Sequence, residues 1–319
     1  MKAIIALVLV MSTSATLHPE EKVSLRAACI ETMMDLTNAL LRLQVTTSED
    51  PDRGALACPG CGVYHTRAAE AVYPLAVAFQ QTGEEKYRNA ARSLAEWLFR
   101  HQKPEGQWEE TPWTWTGTTA DQLLMLAEAY AVLEPDLPGA EKKSWRGSMK
   151  AAADYLVRYM DPAFASINYC PTTAAALVIT DRIIPDRAYV QKAKRLADQV
   201  LAKMDESGFI QGEAARAHGV KYGVDLGYEM DMSLWGLGLY ARLAGDSVVD
   251  SAVRRSLAKN LPFVYPNGGW TAHGEAGATS GPHTVARPRM AVKSSFRSMD
   301  KKTPCTSQPP CVTSRTCAP

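Results

Sequence analysis

The chain has 319 residues, and its 35 basic and 34 acidic side chains leave a formal charge of +1. So even a balance provides no basic field to hold a nucleic acid backbone, which excludes that class of partner. Forty-six per cent hydrophobic residues are ample for a packed core. Of the seven cysteines, Cys305, Cys311 and Cys317 lie in a C-terminal stretch of different character, and the remaining Cys29, Cys58, Cys61 and Cys170 make no disulfide scaffold.

The chain opens Met1-Lys2, runs apolar from Ala3 to Met11 and reaches small residues at Thr13, Ser14 and Ala15. This pattern reads as a secretory signal peptide over residues 1–15, so the expected location is secreted or periplasmic. An uncleaved anchor is the alternative. No later segment approaches ~20 uninterrupted apolar residues, so no stable membrane insertion is expected.

Helical periodicity then dominates. A helix is expected over about Glu20–Leu43, followed by pairs that repeat one grammar. Arg67–Gln81 pairs with Glu84–His101, Thr118–Leu133 with Glu141–Met160, Thr172–Asp181 with Arg187–Met204, and Tyr228–Ala244 with Ser247–Asn260. Each pair closes in a loop: Lys103–Trp108, Asp161–Phe164, Glu206–Phe209 and Pro266–Gly269. The first helix of each pair is rich in Ala, Leu and Met, which suits an inner wall. The second carries Lys, Arg and Glu along one face, which suits an outer wall meeting water. No hairpin signal separates two alternating runs, so strands are not expected. The fold class is therefore all-α, an (α/α) toroid of repeated helical hairpins over residues 16–269, with too few pairs for a closed ring.

From Trp270 the composition breaks. Residues 270–319 hold thirteen Ser or Thr and six Pro, but no Leu, Ile or Tyr. The stretch reads as a disordered tail or as the product of a reading-frame shift near Gly269.

Polar clusters sit where the repeat puts its loops. The first is Cys58-Pro-Gly-Cys61-Gly-Val-Tyr64-His65-Thr66-Arg67. CxxC followed by His is half of a zinc site, but no second ligand pair is evident, so no metal and no cofactor are assigned. His65 and Arg67, at the mouth of an inner helix, are candidate substrate contacts, since an Arg suits an anionic group. Trp113 and Trp115 offer flat apolar plates for sugar rings. A third cluster is Ser166-Ile-Asn168-Tyr169, at the next inner helix. A fourth is Gln211-Gly-Glu213, followed by His218, Tyr222, Asp225 and Tyr228. Converging amide, tyrosine, histidine and carboxylate groups make an acid–base site conceivable; Asp225 alone reads as a helix cap.

Asn168-Tyr169 before an Ala-rich inner helix, then Gly208-x-x-Gln211-x-Glu213, then Tyr228 at the next inner helix resembles heparinase II/III-type and oligoalginate-type polysaccharide lyases. That resemblance covers roughly Thr66 to Asn260. It implies β-elimination on an acidic, uronate-containing polysaccharide, with Asn168 neutralising the carboxylate and Tyr228 as acid/base, Tyr222 its rival. Tyr169 stands where the family often has His. His218 or Arg67 would help ionise the tyrosine. Two other readings stay open: an unsaturated-uronyl hydrolase on the same scaffold, for which Asp121, Glu213, Asp225 and Asp231 are the available carboxylates, and a truncated, non-catalytic glycan-binding protein.

Overall fold

The computed structural model describes residues 19–111, 114–164, 166–213, 215–217 and 220–264. The expected signal peptide and the 270–319 tail lie outside the described residues, as do Trp113, His218 and the side chain of Tyr222.

Helix α1 (Pro19–Leu41) packs on α2 (Val72–Thr82), and four hairpins follow. They are α2 with α3 (Glu85–Arg100), α4 (Thr119–Leu133) with α5 (Gly139–Tyr159), α6 (Tyr169–Ile183) with α7 (Arg187–Leu201), and α9 (Trp235–Ala244) with α10 (Ser247–Asn260). α2, α4, α6 and α9 touch in that order as an inner row, while α3, α5, α7 and α10 form the outer row. Composition sets the layer. α4 buries eleven of its fifteen residues and α6 eleven of fifteen, because Ala and Leu face neighbours on every side. α7 buries six of fifteen, on one face. The inner row curves: Arg242 of α9 acts electrostatically on both Tyr73 of α2 and Glu128 of α4. The all-α toroid architecture is thus present.

The boundaries moved where proline intervenes. The first inner helix begins as a 3-10 turn, Thr66–Ala71, and becomes α-helical only at Val72. Pro74 has no N–H to donate to the carbonyl of Glu70, so the α ladder cannot run through that point. α6 begins at Tyr169, not at the expected Thr172, because Pro171 in a first turn forfeits only a bond the helix would lack anyway. Two further differences concern the fourth hairpin. Its inner helix is entered through a short turn, α8 (Leu226–Tyr228), and a π-helical segment, Glu229–Leu234. Before it stands a β-hairpin that the sequence reading did not expect: β1 (Ala215–Ala217) pairs antiparallel with β2 (Val220–Tyr222). Only two residues, His218 and Gly219, separate the strands in sequence, a spacing that does permit a tight hairpin.

One device recurs between hairpins. Gly54 (φ 96°) and Gly106 (φ 107°) lie so close to the outer helices that an added Cβ would stand 2.0 Å from the Ser93 carbonyl oxygen and 2.1 Å from that of Ala151. A glutamine bridges each approach. Gln44 donates to the carbonyls of Gly54 and Ala90 (3.0 and 2.9 Å), and Gln102 to those of Gly106 and Ser148 (2.7 and 3.0 Å). The loop backbone thereby satisfies polar groups against the next outer helix, which fixes the spacing of successive units.

Gly106→Ala is therefore expected to destabilise by about 2–4 kcal/mol, since strain and collision add. Gly83→Ala, at a left-handed cap (φ 71°) with open space around it, should cost about 1 kcal/mol. Urea unfolding of both variants checks this; equal losses would mean that the close approach to α5 does not matter.

Candidate active site

An inner helix buried along its length can present polar groups only at its ends. The heads of the inner helices meet at one rim. Arg67 sits in the 3-10 turn that leads into α2. Its Nε is 3.1 Å from Glu70 Oε1, Nη1 is 3.9 Å from Glu110 Oε1, and Nη2 is 4.0 Å from Asp121 Oδ2, in the first turn of α4. One guanidinium thus faces three carboxylates. The carboxyl of Asp121 is pushed up to about 8, mostly by burial and then by Glu70, against the pull of Arg67. Glu70 is raised for the same leading reason. The cluster thus favours a proton on Asp121 at neutral pH, which a free aspartate would have lost.

An aromatic wall stands beside it. Trp115 stacks on Phe164 (centroids 6.0 Å apart, planes at 15°) and meets Tyr169 edge-on at 5.7 Å. Its Nε1 donates to Tyr169 Oη over 3.2 Å. A Cβ at Gly117 would collide with the indole at 2.3 Å, so the glycine makes room for it. Burial pushes the Tyr169 phenol up to about 12, opposed by the Trp115 hydrogen bond and by Arg67. Tyr169 is consequently a neutral phenol at ordinary pH, able to donate a proton but a poor base.

Asn168 lies directly before α6 and is 2 % exposed. Its backbone N–H donates to Glu213 Oε1 (2.7 Å), which brings a carboxylate to a helix N-terminus. Its Nδ2 donates to the Met232 thioether at 3.1 Å, a weak acceptor, and its buried Oδ1 has no hydrogen-bond partner among the described residues. Met232 belongs to the π segment, so this contact carries the rim from α6 to the fourth hairpin. A π segment widens a helix locally and is common at functional sites. Tyr228 ends the turn just before it and is 50 % exposed. Asp225 caps that turn, accepting from the Tyr228 N–H at 3.1 Å. The segment is pinned from behind by Glu229, whose buried carboxylate accepts from Ile210 N, Ser256 Oγ and Asn260 Nδ2.

Some expected site residues are thus placed together and others are not. Arg67 and Trp115 both lie beside Tyr169, which follows Asn168 in the chain, and Tyr228 is one turn from Met232. Gln211 turns away to Asp205 Oδ2 (2.7 Å), and Glu213 is engaged by the Asn168 backbone. His65 is held in the cysteine cluster, its Nε2 3.2 Å from Cys61 Sγ and its Nδ1 on the Thr111 carbonyl. There Cys58 is drawn down to about 7, chiefly by hydrogen bonding from the Cys61 side chain. Cys170 is buried on α6, and its thiol is raised by that burial. Glu70, Glu110, Phe164, Met232 and Glu229 were not picked out from sequence. Only Glu70 had a local signal, three residues after Arg67 on one helical face.

The raised carboxyl of Asp121 makes a signed prediction. An acid whose pKa rises from 3.8 to about 8 on folding is bound to its proton more tightly in the native state. Its burden is absent below the unfolded value and grows as pH climbs from about 4 to about 8, by at most about 1.4 kcal/mol per unit. Asp121→Asn should therefore lose less stability than the wild type over that window. Parallel denaturation curves for the two proteins across it would contradict the assignment.

Residues 33–274 match the family described as Ulvan lyase N-terminal domain. The broad-specificity ulvan lyase of Formosa agariphila is 28 % identical over 263 residues, covering 79 % of this chain. This chain spans 41 % of the length of that relative. Among solved structures, an inactive variant of the alpha-1,6-mannanase of Salegentibacter sp. HEL1_6 superposes with a TM-score of 0.57 at 13 % identity, covering 77 % of this chain and 72 % of the other. A sugar epimerase from a ruminal bacterium gives 0.51 at 11 % identity, covering 73 % and 70 %. At such identities these two likenesses speak for the helical fold alone. By its sequence match over most of its length, the chain belongs to the family of ulvan lyase N-terminal domains.

Proposed function

We propose that the chain is the toroid part of a polysaccharide lyase that cleaves a uronate-containing polysaccharide of the ulvan type by β-elimination. What supports this reading is the Arg67 cation beside the Tyr169 phenol at the heads of inner helices, with the Asn168 amide next to that phenol in the chain and the half-exposed Tyr228 one turn from the Met232 that Asn168 touches, in a chain of this family. The partner is an acidic glycan, and the expected export of the protein would put it where such polymers are met.

The chemistry accounts for the residue types. The C5 proton beside a charged carboxylate is barely acidic. Its removal becomes feasible when donors stabilise the enolate-like charge that grows on that carboxylate, each worth on the order of 3 kcal/mol. Asn168 and Arg67 take this role; Asn168 Nδ2 has only a thioether to give up, so exchange for a carboxylate oxygen is favourable. Tyr228, acting as the phenolate, withdraws the C5 proton, the C–H electrons form the C4=C5 double bond, and the C4–O bond breaks. The leaving oxygen collects a proton from Tyr169, which burial keeps protonated, or from Tyr228 itself. Helix heads lend partial positive charge to the same rim. Trp115 and Phe164 supply apolar surface for a sugar face. The more specific likeness to heparinase II/III-type enzymes belongs to this proposal too, as the source of the roles given to Asn168 and Tyr228.

One observation favours a hydrolase instead: Asp121, held protonated near Glu110, has the character of a general acid. A single assay separates the two. The protein is incubated with ulvan and with other uronate polysaccharides, and the ultraviolet absorbance of the unsaturated uronate is followed. Elimination alone generates that chromophore. New reducing ends without it would establish hydrolysis, and neither signal would refute both. In the lyase, Tyr228→Phe should lower turnover by a factor on the order of 10²–10⁴ while oligosaccharide binding persists. Undiminished turnover would remove Tyr228 from the mechanism.

A further inference from the structure

Cys58, Cys61 and His65 form a group that the glycan chemistry does not use. One ligand atom from each, Cys58 Sγ, Cys61 Sγ and a His65 ring nitrogen, lies within 4.8 Å of the others. We propose that these three residues bind a zinc ion that locks the Cys58–Cys61 turn onto the head of the first inner helix.

Four features converge on zinc. The donor set, two thiols and an imidazole, is the soft-to-borderline set that zinc prefers over magnesium or calcium. The spacing suits a tetrahedron: zinc–sulfur and zinc–nitrogen bonds of about 2.0–2.3 Å set ligand–ligand edges of about 3.5–3.8 Å, and the Cys61 Sγ to His65 Nε2 separation is already 3.2 Å. The histidine is oriented as a ligand. The Thr111 carbonyl can only accept, so His65 Nδ1 must carry the hydrogen and Nε2 turns its lone pair toward the thiols. A backbone carbonyl on the far nitrogen is the usual support for a metal-bound imidazole. Finally, the loop is shaped for the ion before it arrives. Gly62 takes φ 70° in open space, its N–H donates to the Cys58 carbonyl (2.8 Å), and the Cys58 N–H donates to the Val63 carbonyl (3.1 Å). This tight turn brings the two cysteines back toward each other.

Binding would convert both thiols to thiolates and release their protons. Three protein ligands leave a fourth tetrahedral position, and a mostly apolar cavity of about 430 Å³ (Leu40, Leu43, Leu56 and Ala68 among its walls) adjoins Cys58 and His65. The site lies two residues from Arg67 and is bonded to Thr111. Its work is to fix the His65 imidazole, and through it the Thr111 carbonyl, beside the Arg67 turn, not to touch the sugar.

The experiment uses the full chain, purified under reducing conditions and without chelators. Metal analysis should find one zinc per chain in the wild type and none in Cys58→Ser or Cys61→Ser. Cobalt replacing the zinc should produce thiolate-to-cobalt charge-transfer bands together with the intense visible bands of a tetrahedral site, and His65→Gln should weaken cobalt binding at least tenfold. Circular dichroism verifies that the variants are folded; should the cysteine variants fail to fold, cobalt titration of the wild type stands alone as the test. A chain that retains no zinc and shows no thiolate–cobalt bands overturns the proposal. So does a Cys58–Cys61 disulfide with no metal bound, found by mass spectrometry in a second preparation purified without reductant. Neither result would bear on the lyase reading, which the uronate assay tests separately.

Discussion

An alanine-rich helix buried on every side has nowhere to put a polar group except its ends, and this constraint shapes the molecule. α6 buries the whole run Thr172–Thr180 without a break. Its few polar side chains fold back on its own turns, as Thr173 and Thr180 do onto the carbonyls of Tyr169 and Ala176, or stand at its ends, Asn168 at the head and Asp181 and Arg182 at the tail. α4 does the same with Thr118, Asp121 and Gln122. Repeating the hairpin in one direction places all these heads on one rim, so a polar site there follows from packing before any demand of function.

The rim is costly to build, and its details show how the cost is met. Arg67 is partly desolvated among three carboxylates, and the cluster settles by keeping a proton on Asp121. Asn168 is left with a thioether for its amide N–H and nothing among the described residues for its carbonyl oxygen. A bound carboxylate would give that amide N–H a far better acceptor than the thioether. Behind the rim, Glu229 draws a loop N–H and two side chains of α10 around the π segment, so the turn carrying Tyr228 rests on a fixed support.

Much of the fold could be read from sequence, because it rests on local periodicity. α10 begins at Ser247 and ends at Asn260 as expected, and the layer of each helix follows from where its charges lie. The misreadings have local physical causes. Pro74 and Pro171 shifted two starts in opposite senses, one by denying a hydrogen bond and the other by being harmless in a first turn. The π segment and the β1–β2 hairpin left too faint a pattern. The site was legible only in part, because Arg67 and Asp121 are far apart in the chain and no spacing rule joins them. The cysteine cluster is the instructive case: CxxC and His65 were visible as half a ligand set, but the orientation of the imidazole depends on the carbonyl of Thr111, which only the folded loop supplies.

The most direct test of the account is a crystal structure of the protein with an ulvan oligosaccharide. The account predicts a uronate whose carboxylate lies within hydrogen-bonding distance of Asn168 Nδ2 or the Arg67 guanidinium, with C5 facing Tyr228 and a sugar face against Trp115. An oligosaccharide seated instead in the outer groove between α7 and α10, the roughly 700 Å³ cavity lined by Leu201, Asp205, Ser251 and Arg255, with the rim empty, would contradict it.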